Sequence, residues 1–205
     1  MNKSAMFKIS YGLYILTAKE NDFDNGCIIN TVSQVTSSPN RISIAVNKSN
    51  KTLEMIMKTG EFNISVLSEK ADFSVFKRFG FQSGKEVNKF EGFDNARTAN
   101  NGIKYITDCT NAYISAKLFH TVDLGTHLIL FADVTDCDVI SDDNSATYDY
   151  YHKNIKPQSE KVLGGKTAYR CKICGYVHTA DELPEDFICP ICKHGIDDFE
   201  KIVND

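Results

Sequence analysis

The sequence predicts a mainly β fold, a barrel with short peripheral helices, followed by a small metal-binding domain. Three observations carry that expectation. Runs rich in β-branched and aromatic residues recur along the first 150 residues, with turn signals between them. Helical periodicity is confined to two short stretches. Near the C-terminus, Cys171-Lys-Ile-Cys174 and Cys189-Pro-Ile-Cys192 form two C-x-x-C knuckles separated by 14 residues, a spacing that suits a four-thiolate cage.

Residues 6–19 (MFKISYGLYILTAK) read as the first strand. Residues 26–36 and 41–47 read as the next two, with Ser37-Ser38-Pro39-Asn40 as the turn between them. In SNKTLEMIMKTG, Leu53, Ile56 and Met57 lie at helical spacing; Ser49 or Asn50 caps the start and Gly60 ends it. Residues 61–67 return to strand. Asp72 then opens a short helix carrying Phe73, Phe76 and Phe79, which ends at Gly80. Two long strands follow, 112–121 and 125–140. Many strands with few helices favour a barrel. Residues 1–152 are therefore expected to be one domain, 153–166 (KNIKPQSEKVLGGK) a linker, and 167–205 the metal-binding domain. As a flexible chain, the ten residues from Pro157 to Lys166 would span about 17 Å on average.

Hydrophobic content of 42% and charged content of 24% are ordinary for a globular chain in water. No apolar run approaches the roughly 18 residues of a membrane helix, and the opening MNKSAMFKIS has no apolar signal core, so a cytoplasmic location is expected. Cys27, Cys109 and Cys137 lie in or beside apolar stretches and read as buried free thiols in a reducing compartment. Residues 167–205 hold four cations and eight anions, which is the whole net charge of −4. An acidic metal-binding domain argues against a nucleic-acid partner and suits docking on a basic protein. Lys77, Arg78, Lys85 and Lys89 read as a loose, solvated basic face.

A four-thiolate cage holds either structural zinc or a single redox iron. The residues around this one resemble rubredoxin. They are Tyr169, Gly175-Tyr176, Leu183-Pro184-Glu185-Asp186-Phe187 leading into Cys189-Pro190, and Phe199. The resemblance covers roughly residues 167–203 and implies one iron on Cys171, Cys174, Cys189 and Cys192. The segment between the knuckles is shorter than in standard rubredoxins. The chain also has no tryptophan, and Phe187 is expected in its place. With four thiolates at hand, His178 and His194 read as non-ligands.

The first 150 residues lack both the dinucleotide glycine fingerprint and the P-loop pattern. They carry Asn30-Thr31-Val32-Ser33-Gln34-Val35-Thr36-Ser37-Ser38-Pro39, then Asn47-Lys48-Ser49-Asn50-Lys51-Thr52, then Gly125-Thr126-His127. In that order these segments resemble the flavin reductase family, whose fold is an FMN-binding split barrel. Asn30, Thr31, Gln34 and Thr36 can supply polar groups to an isoalloxazine edge. Asn47, Lys48, Ser49, Asn50, Lys51 and Thr52 offer hydroxyls, ammonium groups and a helix N-terminus to a phosphate. Ser83, Gly84 and Lys85 can add phosphate or ribityl contacts. The resemblance gives His127 a place on the flavin face where nicotinamide stacks; without it, His127 reads as a core histidine bonded to a backbone carbonyl.

As a whole the chain resembles the high-molecular-weight rubredoxins, in which a flavin reductase domain is fused to a rubredoxin domain. That resemblance implies NADH or NADPH as donor, FMN, a sulfur-ligated iron, a homodimer, and a flavodiiron protein as acceptor. Two other readings stay open: a flavin reductase that releases reduced flavin and carries a structural zinc ribbon, and a non-enzymatic flavin-binding regulator.

Overall fold

The computed structural model describes residues 5, 8–157, 167–172, 175–189 and 194–202. Strands β1 (Tyr14–Glu20) and β2 (Phe23–Ile29) form an antiparallel hairpin turned at Asn21, which sits at φ 55°. Asparagine tolerates that left-handed backbone better than most residues. Strands β3 (Ser33–Ser37) and β4 (Asn40–Asn47) form a second hairpin. Helix α1 (Lys51–Thr59) starts where the Asn50 side chain accepts from the Thr52 N–H, and stops at Gly60, whose φ is 77°. After β5 (Glu61–Leu67), Asp72 caps helix α2 (Phe73–Gly80) by accepting from the Ser74 N–H at 2.7 Å. Short strands β6 (Ala96–Thr98) and β7 (Lys104–Ile106) pair with each other. The long strands β8 (Thr110–Asp123) and β9 (His127–Val139) form the centre of the large sheet. One helical turn, α3 (Tyr148–Tyr150), runs into a π-helical turn at Tyr151–Ile155. The C-terminal domain is a three-stranded sheet of β10 (Ala168–Cys171), β11 (Val177–Thr179) and β12 (Phe199–Ile202), with β10 central.

The main sheet has the order β2-β1-β5-β8-β9-β4-β3 and is antiparallel at every pairing. Its two edges, β2 and β3, are consecutive in the chain, joined only by residues 30–32. Seven strands laid flat would set those edges roughly 29 Å apart. The connection from Ile29 to Ser33 spans at most about 14 Å. The sheet must therefore curl until its edges nearly meet, which makes a barrel split along one seam. Thr31 fastens the seam: its hydroxyl donates to the Ala45 carbonyl at 2.8 Å and accepts from the Ala45 N–H at 3.1 Å. One core cluster confirms the closure, because Cys27 and Ile29 of β2 pack with Ile42, Ile44 and Val46 of β4.

A second cluster lies outside the barrel wall. Ile15 of β1 packs there with Val75, Phe76 and Phe79 of α2, Phe90 and Tyr151, while its neighbour Leu16 faces the barrel interior. Both faces of β1 are buried, so its apolar residues run continuously instead of alternating. No helix among the described residues is long and apolar enough to cross a membrane.

The expected first strand, 6–19, starts later, at Tyr14, because its partner β2 ends at Ile29, the residue paired with Tyr14. The expected strand 26–36 is broken at residues 30–32, where the chain crosses the seam. Cys27 is buried as expected, but Cys137 is exposed on the outer part of β9.

Candidate functional site: a cleft at the first helix and a thiol centre

Three elements converge at one end of the barrel. The end of β4, the hairpin tip between β8 and β9, and the start of α1 come together there. Asn47 pairs in register with His127. The Lys48 N–H donates to the Thr126 carbonyl at 3.0 Å. The Lys48 ammonium donates to Asp123 at 2.6 Å and holds that carboxyl below its usual range. The Asn47 side chain accepts from both the N–H and the hydroxyl of Ser49, each at 2.9 Å, which shapes the approach to the helix. His127 Nδ1 lies 2.9 Å from the Thr126 hydroxyl.

Beside this junction is a cleft of about 240 Å³, lined by Ser49, Asn50 and Lys51 at the start of α1 and by Gln82, Ser83 and Gly84 after α2. Cys27, Phe79 and Lys89 complete its floor. Five of the residues picked out from sequence for phosphate and ribityl contacts therefore share one cavity. Thr52 is buried beneath it, its hydroxyl accepting from the Asn25 amide at 3.1 Å. Lys85 is drawn aside into an ion pair with Glu54 at 2.5 Å, and Lys51 stands 3.6 Å from the same carboxylate. Asn30 and Thr31 lie on the seam connection. Gln34 and Thr36 are exposed, and their side chains bond within the β3–β4 hairpin, to Asn40 and to the Pro39 carbonyl.

The solvated basic face expected of Lys89 is not what the structure holds. Lys89 is 3% exposed, and its ammonium donates to the carbonyls of Gly26 at 2.9 Å and Phe79 at 3.0 Å. Burial pushes its pKa down. Burial also pushes the Cys27 thiol up, against smaller opposing effects from Thr52, Lys89 and Asn50. Arg78 likewise turns inward, donating to the carbonyls of Lys89 and Glu91 at 3.0 and 3.1 Å. Aromatic neighbours at Phe90 and Phe93 were the available sequence signal, since a cation between phenylalanines can snorkel into their packing.

The chemistry of this cleft fits an anionic cofactor. It offers a helix N-terminus, two hydroxyls and a buried ammonium whose hydrogen bonds are to carbonyl oxygens. Among the described residues the side-chain amide oxygen of Asn25 is buried without a hydrogen-bond partner, and a Cβ on Gly84 would come within 2.4 Å of that amide. Only glycine lets that loop lie so close.

The C-terminal domain brings Cys171 and Cys189 into one fully buried cluster with Tyr176 and Phe199 packed on it. The Gly175 N–H donates to the Cys171 carbonyl at 2.9 Å, with Gly175 at φ 82°. The Cys189 N–H donates to the His194 carbonyl at 2.9 Å. Phe187 stacks edge-on to Phe199 at 5.3 Å and lies 4.6 Å from the His178 ring. Two buried thiols in one cluster fit a thiolate-bound metal. Cys174 and Cys192, the other two expected ligands, lie outside the described residues.

Residues 6–159 match the family model described as "Flavin reductase like domain". The chain belongs to the flavin reductase-like family. It is the form of that family that carries a rubredoxin-like domain: residues 169–200 match "Rubrerythrin, rubredoxin-like domain". The high molecular weight rubredoxin of Moorella thermoacetica is 38% identical over 98% of this chain and 100% of that one. The ferric-chelate reductase (NAD(P)H) of Archaeoglobus fulgidus is 38% identical over 79% of this chain and 95% of that one. Among solved structures, a putative flavin reductase from Haemophilus somnus superposes with a TM-score of 0.63 at 20% identity, covering 71% of this chain and 91% of that one. Family membership makes the chain an oxidoreductase with a flavin domain and a metal domain.

Proposed function

We propose that the chain passes electrons from NADH or NADPH, through bound FMN, to a four-thiolate iron and on to a flavodiiron protein. The observation that carries this reading is the cleft at the start of α1, with its buried Lys89 ammonium. Lys89, the Lys51 N–H and the Ser83 hydroxyl hold the phosphate, while Ser49 and Asn50, whose N–H groups both donate to Asn47, shape the turn that presents them. Asn47, Lys48 and Thr52 fix the cleft's rim and floor, and Gly84 and Lys85 close the loop above it. Asn30, Thr31, Gln34 and Thr36 serve the edge of the ring system. His127, beside Asn47, serves the face on which nicotinamide docks. Cys171, Cys174, Cys189 and Cys192 bind the iron. The flavin supplies the conversion of a hydride into single electrons, which the iron accepts one at a time.

The division into residues 1–152, 153–166 and 167–205 belongs to the same proposal, as do a homodimer with FMN at its interface and a cytoplasmic location. The test is the visible spectrum of anaerobically purified protein with metal analysis. Flavin bands and ferric-thiolate absorption are expected, both bleaching when NADH or NADPH is added. A flavin that bleaches in a protein containing zinc and no iron overturns the relay, and leaves a flavin reductase with a structural metal site.

A further inference from the structure

The C-terminal end of α2 stands between the two sites. Phe79, Gly80, Gln82 and Ser83 line the cleft. Phe81, in their midst, packs instead against the cluster of Cys171 and Cys189. Its N–H donates to the Phe76 carbonyl at 3.2 Å, and its ring lies 5.7 Å from that of Phe73. The helix end itself thus sets the direction of this side chain. Among the described residues, two more contacts, both from residues 156–157 that lead toward it, hold the C-terminal domain beside it. The Lys156 ammonium donates to the Lys172 carbonyl at 3.0 Å. A Cβ on Gly175 would stand 3.0 Å from the Pro157 carbonyl, so the first knuckle rests directly on that backbone. A polar notch of about 250 Å³ remains between the two domains, lined by residues that include His152, Arg170 and Glu200. Among the described residues, one ring, one ammonium–carbonyl bond, a backbone contact and an open polar notch join the two domains.

We infer that Phe81 is the seat on which the thiol cage docks against the back wall of the cleft. Phe81 is a positioning residue: it touches the cage, and its sequence neighbours line the cleft, so both sites share one helix end as a common wall. Docking there brings the two sites of a single chain together without a second copy. The seat consists of protein contacts. Its use for electron transfer rests on the flavin-and-iron reading above: one electron leaves the reduced flavin with loss of a proton to water, and ferric iron becomes ferrous.

The seat is tested by hydrogen–deuterium exchange on the full chain loaded with zinc and no nucleotide. Phe81→Ala removes a part-buried aromatic contact, so amides at 151–156 and 175–178 should exchange about tenfold faster. Phe81→Leu should restore most of the protection. Unchanged exchange in Phe81→Ala overturns the seat. If Phe81→Ala loses protection in β5 and β8 as well, it has unfolded; Lys156→Ala then takes its place, and must loosen the same two segments for the seat to stand. In iron- and flavin-loaded protein, Phe81→Ala should slow single-turnover transfer from flavin to iron while flavin reduction by NADH keeps its rate. Equal transfer rates overturn the positioning role. Iron that is never reduced in the unaltered chain overturns the relay and leaves the seat to the exchange result.

Discussion

The Lys89 ammonium donates to the carbonyl of Gly26 at 2.9 Å, tying the loop beyond α2 to a strand 63 residues earlier. The same group donates to the Phe79 carbonyl, so one buried cation holds the floor of the cleft together. Lys89→Met is expected to weaken flavin binding about tenfold to a hundredfold, the loss of one charge-assisted hydrogen bond. Fluorescence titration reads the change. The folded pKa lies below the unfolded value, so between the two the unfolded chain binds more protons and stability rises with pH. That rise ends near ~10.4, the ordinary lysine value, and Lys89→Met should flatten it in urea unfolding at alkaline pH.

Thr31 closes the seam with two hydrogen bonds to one residue, Ala45. Thr31→Val keeps the shape and removes both. The Ala45 carbonyl and N–H lose that partner, at a cost of about 1 to 3 kcal/mol. Urea unfolding at neutral pH measures it; a midpoint equal to that of the unaltered chain would show that the seam is held by packing alone.

Asp72 caps α2, and its bond from Ser74 holds the carboxyl below its usual value. Asp72→Ala should cost about 1 kcal/mol at pH 7. A lowered carboxyl contributes above the unfolded value of about 3.9 and loses that contribution as pH falls through the folded value. The difference between the two proteins should therefore shrink on acidification below that point, as read by thermal unfolding across an acid series.

Cys171 and Cys189 are both fully buried in the C-terminal cluster. Cys171→Ser or Cys189→Ser should abolish stoichiometric metal in the purified protein. The front domain, with its own two cores, should keep its unfolding transition. Metal analysis beside differential scanning calorimetry separates the two effects.

Local signals in the chain were strong where one short segment decides the outcome. Asn50 and Asp72 cap their helices and Gly60 ends α1, because capping involves only neighbours three or four residues away. The runs at 41–47 and 61–67 are strands, as their composition implies. Signals failed where distant elements decide. Lys89 is buried by contacts with Gly26 and Phe79, and the adjacent Phe90 hints at burial without naming these partners. The break at residues 30–32 follows from sheet closure, although Val32 is as β-branched as its neighbours. The pair β6 and β7 has three residues per strand, too short for a period to show. In the candidate site, Ser49, Asn50, Lys51, Ser83 and Gly84 were all picked out and share the cleft, whereas Cys27 and Phe79 on its floor were not.

The placement of β2 and β3 at opposite ends of the sheet has a consequence during synthesis. Both N-terminal hairpins leave the ribosome early, yet the strands that belong between them, β5, β8 and β9, come after residue 60. Until β9 emerges, the nascent chain presents open strand edges on two separate hairpins, the surface most prone to pair with another molecule. Chaperone capture of nascent chains should therefore be strongest before Val139 is made.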